Sequence, residues 1–120
     1  MGHLLVQITV GPENPTKAAL GFLVARQALD DGHQVSVFLV IEAVQLLREA
    51  VLDSLTGLGT GSLRESFDAL VDGGARFYVS ALSSRARGLL QADLEGKPAE
   101  LALPQRLVEL TFAADRVLCY

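Results

Sequence analysis

The chain has 120 residues, of which 50% are hydrophobic and 20% charged, and its 14 acidic and 10 basic residues give a net charge of −4. This composition indicates one globular domain over residues 1–120 and excludes a disordered chain, while the acidic balance argues against a nucleic-acid partner. The single cysteine, Cys119, excludes a disulfide framework and a cysteine-rich metal site. No apolar run approaches the ~20 residues of a membrane helix and no signal peptide is evident, so we expect a cytoplasmic protein without membrane contact.

The first part of the chain alternates apolar runs with helical patterns. Leu4 to Val10 is apolar at nearly every position, which is typical of a strand covered on both faces. Asn14 is suited to cap a helix that ends near Gly32. Val35 to Ile41 predicts a second buried strand, and residues 42–52 predict a second helix.

A glycine-rich stretch at 56–61 interrupts the pattern and predicts a flexible connection or a lid. Its G-x-G-x-G spacing lacks the lysine of a P-loop, so a phosphate-binding loop is the weaker alternative. Ser62 and Glu65 then form a capping box, which predicts the start of a third helix.

The last part of the chain predicts two more strands and two more helices. Arg76 to Ser80 is predicted to be a buried strand, and Ser83 or Ser84 is suited to cap the short helix after it. Residues 94–103 are predicted to be a linking loop, followed by a last helix and a short closing strand at 117–120.

This order predicts an α/β fold, a three-layer α/β/α sandwich around a mainly parallel five-stranded sheet with flavodoxin-like topology. In such a sheet the carboxyl ends of the strands meet at one edge, where ligands bind. The candidate ligand-binding residues at that edge are Asn14, Thr16, Lys17, Ser80, Ser83, Ser84, Arg85 and Arg87. Helix-start N–H groups, hydroxyls and guanidinium groups together suit a small anion. The alternative is that the serines cap a helix and the arginines pair with carboxylates, including carboxylates across a subunit interface.

Few residues offer catalytic chemistry, and we expect no metal and no cofactor. Ser80 is a poor nucleophile candidate because His3 and His33, the only histidines, precede strands at the opposite edge of the sheet. Glu42 follows a buried strand, where a favourable position at a helix start is preferred over a role in the site. Cys119 is the only residue able to carry sulfur, and a packed thiol in an apolar strand is favoured over a reactive one.

Five stretches carry a resemblance to a known family. They are G-P-E-N-P-T (11–16), G-H-Q-V-S-V-F-L-V with E-A-V (32–44), the glycine-rich loop, F-Y-V-S-A-L-S-S-R-A-R-G (77–88) and A-D-R-V (114–117). Together they resemble the DsrE/DsrF-like family of small sulfur-relay proteins over most of the chain. The resemblance implies a three-layer α/β/α fold, a homo-oligomer that is a trimer or a hexamer, and a cysteine that carries sulfur as a persulfide in the segment occupied here by Ser80 to Ser84.

The chain departs from the family pattern at that segment. Ser80 and Ser83 stand where sulfur-carrying members have cysteine, and a hydroxyl cannot form a persulfide. We therefore predict an oligomeric DsrE-like module, not an enzyme at this position, that binds a small anion or a protein partner such as another sulfur-relay protein. The alternative is an intracellular sulfur-transfer protein that uses Cys119 as its catalytic residue.

Overall fold

The computed structural model describes residues 1–120 and contains a parallel sheet with helices on both faces. The strands are β1 (His3–Ile8), β2 (Gln34–Leu39), β3 (Thr56–Gly57), β4 (Gly61–Ser62), β5 (Arg76–Ser80), β6 (Ala99–Ala102) and β7 (Arg116–Cys119). The α-helices are α1 (Pro15–Asp30), α2 (Glu49–Ser54), α3 (Leu63–Asp72), α4 (Ala81–Ala86) and α5 (Pro104–Ala113), and 3₁₀ helices span Ile41–Leu47 and Gln91–Leu94.

The main sheet has five strands in the order β6-β5-β2-β1-β7, and every neighbouring pair is parallel. This confirms the predicted α/β fold with a mainly parallel five-stranded sheet. The connections from β1 to β2, β5 and β6 all advance in one direction across the sheet. Right-handed crossovers therefore place α1, α3 and α4 on one face, whereas the return from β6 to β7 places α5 on the other.

The larger core lies between the sheet and the helices of the first face. It contains 23 buried residues, among them Phe22 of α1, Phe67 of α3 and Phe77 of β5. The opposite face has a smaller core of five buried residues: Leu5, Phe38, Tyr78, Ala102 and Leu110. No helix in the structure is long and apolar enough to cross a membrane.

Three predicted helix boundaries are confirmed by the cap geometry. Asn14 Oδ1 accepts a hydrogen bond from the Lys17 N–H at 3.4 Å, and Gly32 follows the end of α1 with a φ of 92°. Ser62 Oγ accepts from the Glu65 N–H at 3.3 Å at the start of α3. The caps therefore fix α1 and α3 at the positions that the sequence indicates.

Three local predictions were wrong. The fifth strand of the sheet is β6, which lies inside the predicted linking loop and pairs Phe77 with Ala99. The predicted helix over 42–52 is instead a 3₁₀ helix and α2, because Arg48 between them has an extended backbone, with φ −65° and ψ 136°. The stretch at 56–61, predicted to be a loop, is instead the β3–β4 hairpin, with Gly57 buried against α1.

Candidate functional site

The predicted site lies at the carboxyl edge of the sheet, where β1, β2 and β5 end side by side. The ends of β1 and β2 approach each other closely, because a Cβ atom added at Gly11 would lie 2.3 Å from the Glu42 carbonyl oxygen. The Gly11 N–H also donates to Glu13 Oε1 at 2.8 Å. Only glycine allows this approach, which places the loop after β2 against the loop after β1.

A chain of two hydrogen bonds joins the serines after β5 to the loop after β2. Ser80 Oγ accepts from the Ser83 N–H at 3.1 Å, and Ser83 Oγ accepts from the Ile41 N–H at 2.9 Å. The cap of α4 is therefore Ser80, and the prediction that Ser83 or Ser84 caps this helix was wrong. Neither hydroxyl donates to a protein acceptor, so each keeps a hydrogen free to donate to a bound group.

Ile41 has an unusual backbone conformation at the centre of this site. It is the single non-glycine residue with a positive φ, 57°, and 48% of its surface is exposed. The left-handed region costs about 1–2 kcal/mol for an ordinary residue and is a genuine outlier for a β-branched one. The hydrogen bond to Ser83 Oγ helps hold Ile41 in this conformation, which is typical of functional loops.

The two arginines of the predicted anion site have different partners. Arg87 donates to Glu42 Oε1 through Nε at 2.9 Å and Nη2 at 2.8 Å, and to the Ser83 carbonyl oxygen through Nη1 at 3.2 Å. Its charge is therefore largely neutralised within the protein. Arg85 is exposed and has no hydrogen-bonded or ionic partner, so it is the cation of α4 that is free to meet an external group.

The predicted residues at the start of α1 form a separate group. Asn14 is occupied in capping the helix, and Thr16 Oγ1 accepts from the Leu58 N–H of the β3–β4 turn at 3.0 Å. The Thr60 hydroxyl donates to the Thr16 carbonyl oxygen at 3.4 Å. Lys17 is exposed and without a partner. Thr16 is therefore bonded to the hairpin, and the Gly11–Glu42 contact lies between this group and the serines.

Cys119 does not join either group. It lies on β7 beside Gln7, three strand positions from β5, or about 14 Å across a parallel sheet. The favoured interpretation, a packed thiol, was wrong, because all four residues of β7 are exposed at the border of the sheet. The structure thus makes Cys119 accessible but does not place it near Ser80 to Arg87.

The two histidines lie at the opposite end of the sheet, as predicted. His33 Nδ1 accepts from the Gly2 N–H at 3.0 Å, and His3 Nε2 is 2.8 Å from Ser36 Oγ. Both line a cavity of about 220 Å³ that also contains Asp115 and is far from the serines in the fold. Neither imidazole is positioned to act as a base for Ser80, which agrees with the rejection of a serine nucleophile.

A cavity of about 910 Å³ is an open cleft between α3 and the loop before β6, and no predicted site residue lines it. Arg64 and Lys97 bind Glu49 there at 2.9 Å each. Hydrogen bonds from Lys97 first, and from Arg64 second, hold the pKa of Glu49 below its ordinary value. Because this pKa is lowered on folding, the network stabilises the fold above the ordinary pKa of a glutamate, and the contribution is lost as the pH falls through the lowered one.

The buried hydroxyl of Ser84 allows a test of the hydrogen bonding in the segment Ser80 to Ser84. Its hydroxyl is buried with the residue 1% exposed, and it has no hydrogen-bond partner. We expect Ser84→Ala to raise the free energy of unfolding by about 1 kcal/mol, because it removes an unpaired buried polar group from a helix. We expect Ser83→Ala to lower it by about 1 kcal/mol, because the Ile41 N–H loses its acceptor. Urea denaturation of both variants checks the opposite signs, and a loss of stability in Ser84→Ala would contradict this account.

The fold and the site together define an α/β protein with a single parallel sheet and a polar cluster at its carboxyl edge. The chain belongs to the DsrE/DsrF-like family, whose model matches residues 2–120. The crystal structure of the ychN protein from E. coli is similar to it with a TM-score of 0.82 and 16% identity, covering 100% of both chains. MTH1491 from Methanobacterium thermoautotrophicum, a protein of unknown function, is similar with a TM-score of 0.74 and 17% identity, again covering 100% of both chains. No curated protein sequence matches the chain.

Proposed function

We propose that this protein is an oligomeric DsrE-like module that binds a partner at the carboxyl edge of the sheet and carries no sulfur there. The observation that supports this proposal most is the pair of serine hydroxyls in the segment of the family cysteine. Both hydroxyls accept backbone N–H groups, so they are integrated into the fold as hydrogen-bonding groups. Without a thiolate the site has no atom that can form a persulfide.

The chemistry of the edge favours a protein partner over a small anion. A small-ligand site is usually a deep concave pocket, and neither of the two main cavities lies at this edge. Ile41 and Leu82 expose 48% and 54% of their surface beside the serines, and Arg85 is free to meet an acidic group. Apolar side chains next to an unpaired arginine are typical of the centre of a protein interface.

Amide NMR spectroscopy with inorganic phosphate as the probe distinguishes the two kinds of partner. A small-anion site predicts saturable shifts confined to the amides of Ile41, Ser83 and Arg85, and loss of these shifts in Arg85→Gln. A protein-docking edge predicts weak, unsaturated shifts spread over the surface. Saturation at phosphate concentrations near 1 mM would therefore support a small-anion ligand and contradict a protein partner at this edge.

The absence of sulfur chemistry at the serines is tested by intact-mass measurement. Reduced protein is incubated with a persulfide donor, and the Cys119→Ser variant is treated in the same way. We expect the Cys119→Ser variant to gain no sulfur atom. A gain of sulfur in this variant would contradict the proposal, since it would locate the acceptor outside the only thiol of the chain.

A second candidate function is sulfur transfer by Cys119, which is favoured by the exposure of its thiol. The same measurement decides between the two. Addition of one sulfur atom to the wild-type protein that is lost in Cys119→Ser, and that passes to an acceptor thiol, would establish a relocated carrier site. We expect no transferable sulfur, because no lysine or histidine lies beside Cys119 in the sequence to favour a reactive thiolate.

A further inference from the structure

We propose that the open cleft between α3 and the loop before β6 binds a linear polyamine, a chain of ammonium groups joined by methylene segments. The cleft has a volume of about 910 Å³, which is within the range of small-molecule sites. None of the residues from Ser80 to Arg87 lines it. The inference is therefore independent of the proposed function and concerns a second site on the chain.

The lining of the cleft contains more carboxylates than cations. Its charged residues are the cations Arg64 and Lys97 and the carboxylates Glu49, Asp68, Asp72, Asp93 and Glu95. Arg64 and Lys97 both bind Glu49 at 2.9 Å, and Arg48 lies 3.5 Å from Asp93. Five carboxylates against two cations leave an excess of negative charge in the cleft, in a chain whose net charge is −4.

The excess negative charge is concentrated in three side chains. Asp72 and Glu95 are exposed and have no hydrogen-bonded or ionic partner. Asp68 lies 3.6 Å from Arg64, but that guanidinium group also binds two other carboxylates at the shorter distances of 2.9 and 2.8 Å. Asp68 and Asp72 belong to α3, whereas Glu95 belongs to the opposite wall of the cleft. A cationic ligand between the walls would therefore meet unpaired carboxylates on both sides.

The position of Asp68 and Asp72 on α3 is unfavourable for the isolated helix. The two carboxylates are four residues apart, where like charges repel each other, and Asp72 is the last residue of the helix. A negative charge at this end opposes the helix dipole, which favours a cation there. The last turn of α3 contains no basic residue. A bound cation would therefore offset a repulsion that no side chain of α3 relieves.

The arrangement suits an elongated cation and not a metal ion. No three carboxylate, imidazole or thiol side chains converge closely enough to hold a metal. Residues four apart on a helix are about 6 Å from each other, so Asp68 and Asp72 can each meet a separate ammonium group of one chain. Phe67, Val71 and Ala92 line the same cleft. These apolar side chains suit the methylene segments between the ammonium groups.

Isothermal titration calorimetry at low salt, with spermidine as the probe, tests this proposal. We expect saturable binding that weakens as sodium chloride is added, because the carboxylates are exposed and salt screens them. Asp72→Asn and Glu95→Gln should each weaken the binding by about threefold or more, since each removes one ionic contact. Magnesium chloride at the same ionic strength should not reproduce the spermidine signal.

Asp30→Asn is the matched control, because Asp30 is the exposed last residue of α1 and lies outside the cleft. Without spermidine, we expect Asp30→Asn and Asp72→Asn both to raise the Tm, since each removes a carboxylate from the C-terminal end of a helix. With spermidine, Asp30→Asn should keep the wild-type affinity. Spermidine should raise the Tm of this control and of the wild-type protein more than that of Asp72→Asn.

Four results would overturn the proposal. They are the absence of saturable spermidine binding, equal weakening by Asp30→Asn and Asp72→Asn, an equal signal from magnesium chloride, and tighter binding of a lysine tetrapeptide than of spermidine. The last result would assign the cleft to a basic protein segment. None of these results bears on the proposed function, which concerns the carboxyl edge of the sheet and is tested there by phosphate and by a persulfide donor.

Discussion

Replacement of Phe77 by alanine should lower the free energy of unfolding by about 3–5 kcal/mol, the largest loss of stability expected from a single truncation in this chain. Phe77 is fully buried on β5, and its ring lies 5.9 Å from that of Phe22 and 5.1 Å from that of Phe67. It joins the sheet to α1 and α3, so the cavity left by alanine would open at the centre of the larger core. Domains of this size are stable by about 5–15 kcal/mol, so the variant should be near the limit of folding.

Urea denaturation followed by circular dichroism measures this loss, and Phe112→Ala provides the control. Both substitutions remove the same ring, but Phe112 is 87% exposed in the single chain. We expect the control to change the stability of the monomer by less than about 0.5 kcal/mol. Similar losses in the two variants would show that the core is not organised around Phe77.

Replacement of Ser83 by cysteine, in a Cys119→Ser background, should create a protein that accepts one sulfur atom from a persulfide donor. The new thiolate would receive a hydrogen bond from the Ile41 N–H, which donates to Ser83 Oγ at 2.9 Å in the native chain. Arg85 lies on the same short helix without a carboxylate partner and supplies positive charge, whereas Arg87 is paired with Glu42. Backbone donors and neighbouring cations are the conditions that favour a nucleophilic thiolate.

Intact-mass measurement before and after treatment with dithiothreitol checks this gain, because a persulfide sulfur is lost on reduction. Ser84→Cys in the same background is the matched control, since Ser84 is 1% exposed and a thiol there would be inaccessible to the donor. Failure of Ser83→Cys to load, in a variant that remains folded, would mean that the site has lost more than the sulfur atom. The proposed partner-binding edge could then no longer be explained as a sulfur-carrying site that has lost only its thiol.

The fold was predictable where the local sequence pattern and the tertiary packing favour the same secondary structure. Four strands of the main sheet were predicted, because runs such as Val35 to Ile41 are apolar at consecutive positions, which is typical of a strand covered on both faces. The boundaries of α1 were predictable because Asn14 and Gly32 determine them through local hydrogen bonds and backbone conformation. These features depend on residues that are near one another in the chain.

The errors occurred where distant residues decide the structure. β6 has the sequence Ala-Glu-Leu-Ala, which has weak strand propensity and forms a strand because β5 offers it a pairing edge. The glycine-rich stretch packs against α1, where Thr16 accepts a hydrogen bond from the Leu58 N–H. Cys119 is exposed on β7 at the border of the sheet, a position that the local sequence does not specify.

The positions of the candidate site residues in the fold were predictable, but their contacts were not. The edge of the sheet follows from topology alone, so the serines and arginines after β5 could be assigned to it. The left-handed conformation of Ile41 has no sequence signal, since glycine or asparagine is the residue that normally indicates it. The sequence left open whether Arg87 binds an external anion or pairs with a carboxylate of the protein. Its pairing with Glu42, 45 residues away, depends on the packing of the two loops.

The position of β7 has a consequence for the solubility of the folding chain. β7 pairs with β1, whose residues Leu4 to Ile8 are largely buried. β7 follows α5 in the chain, so it is synthesised after α5. Until β7 is in place, the unpaired backbone of an apolar strand remains available to other chains, which is the usual origin of edge-to-edge aggregation. With Arg116 at its start and only four residues in length, β7 is a poor template for further strands. Pairing with β7 therefore covers the aggregation-prone edge of β1, and the short β7 becomes the outer strand of the sheet.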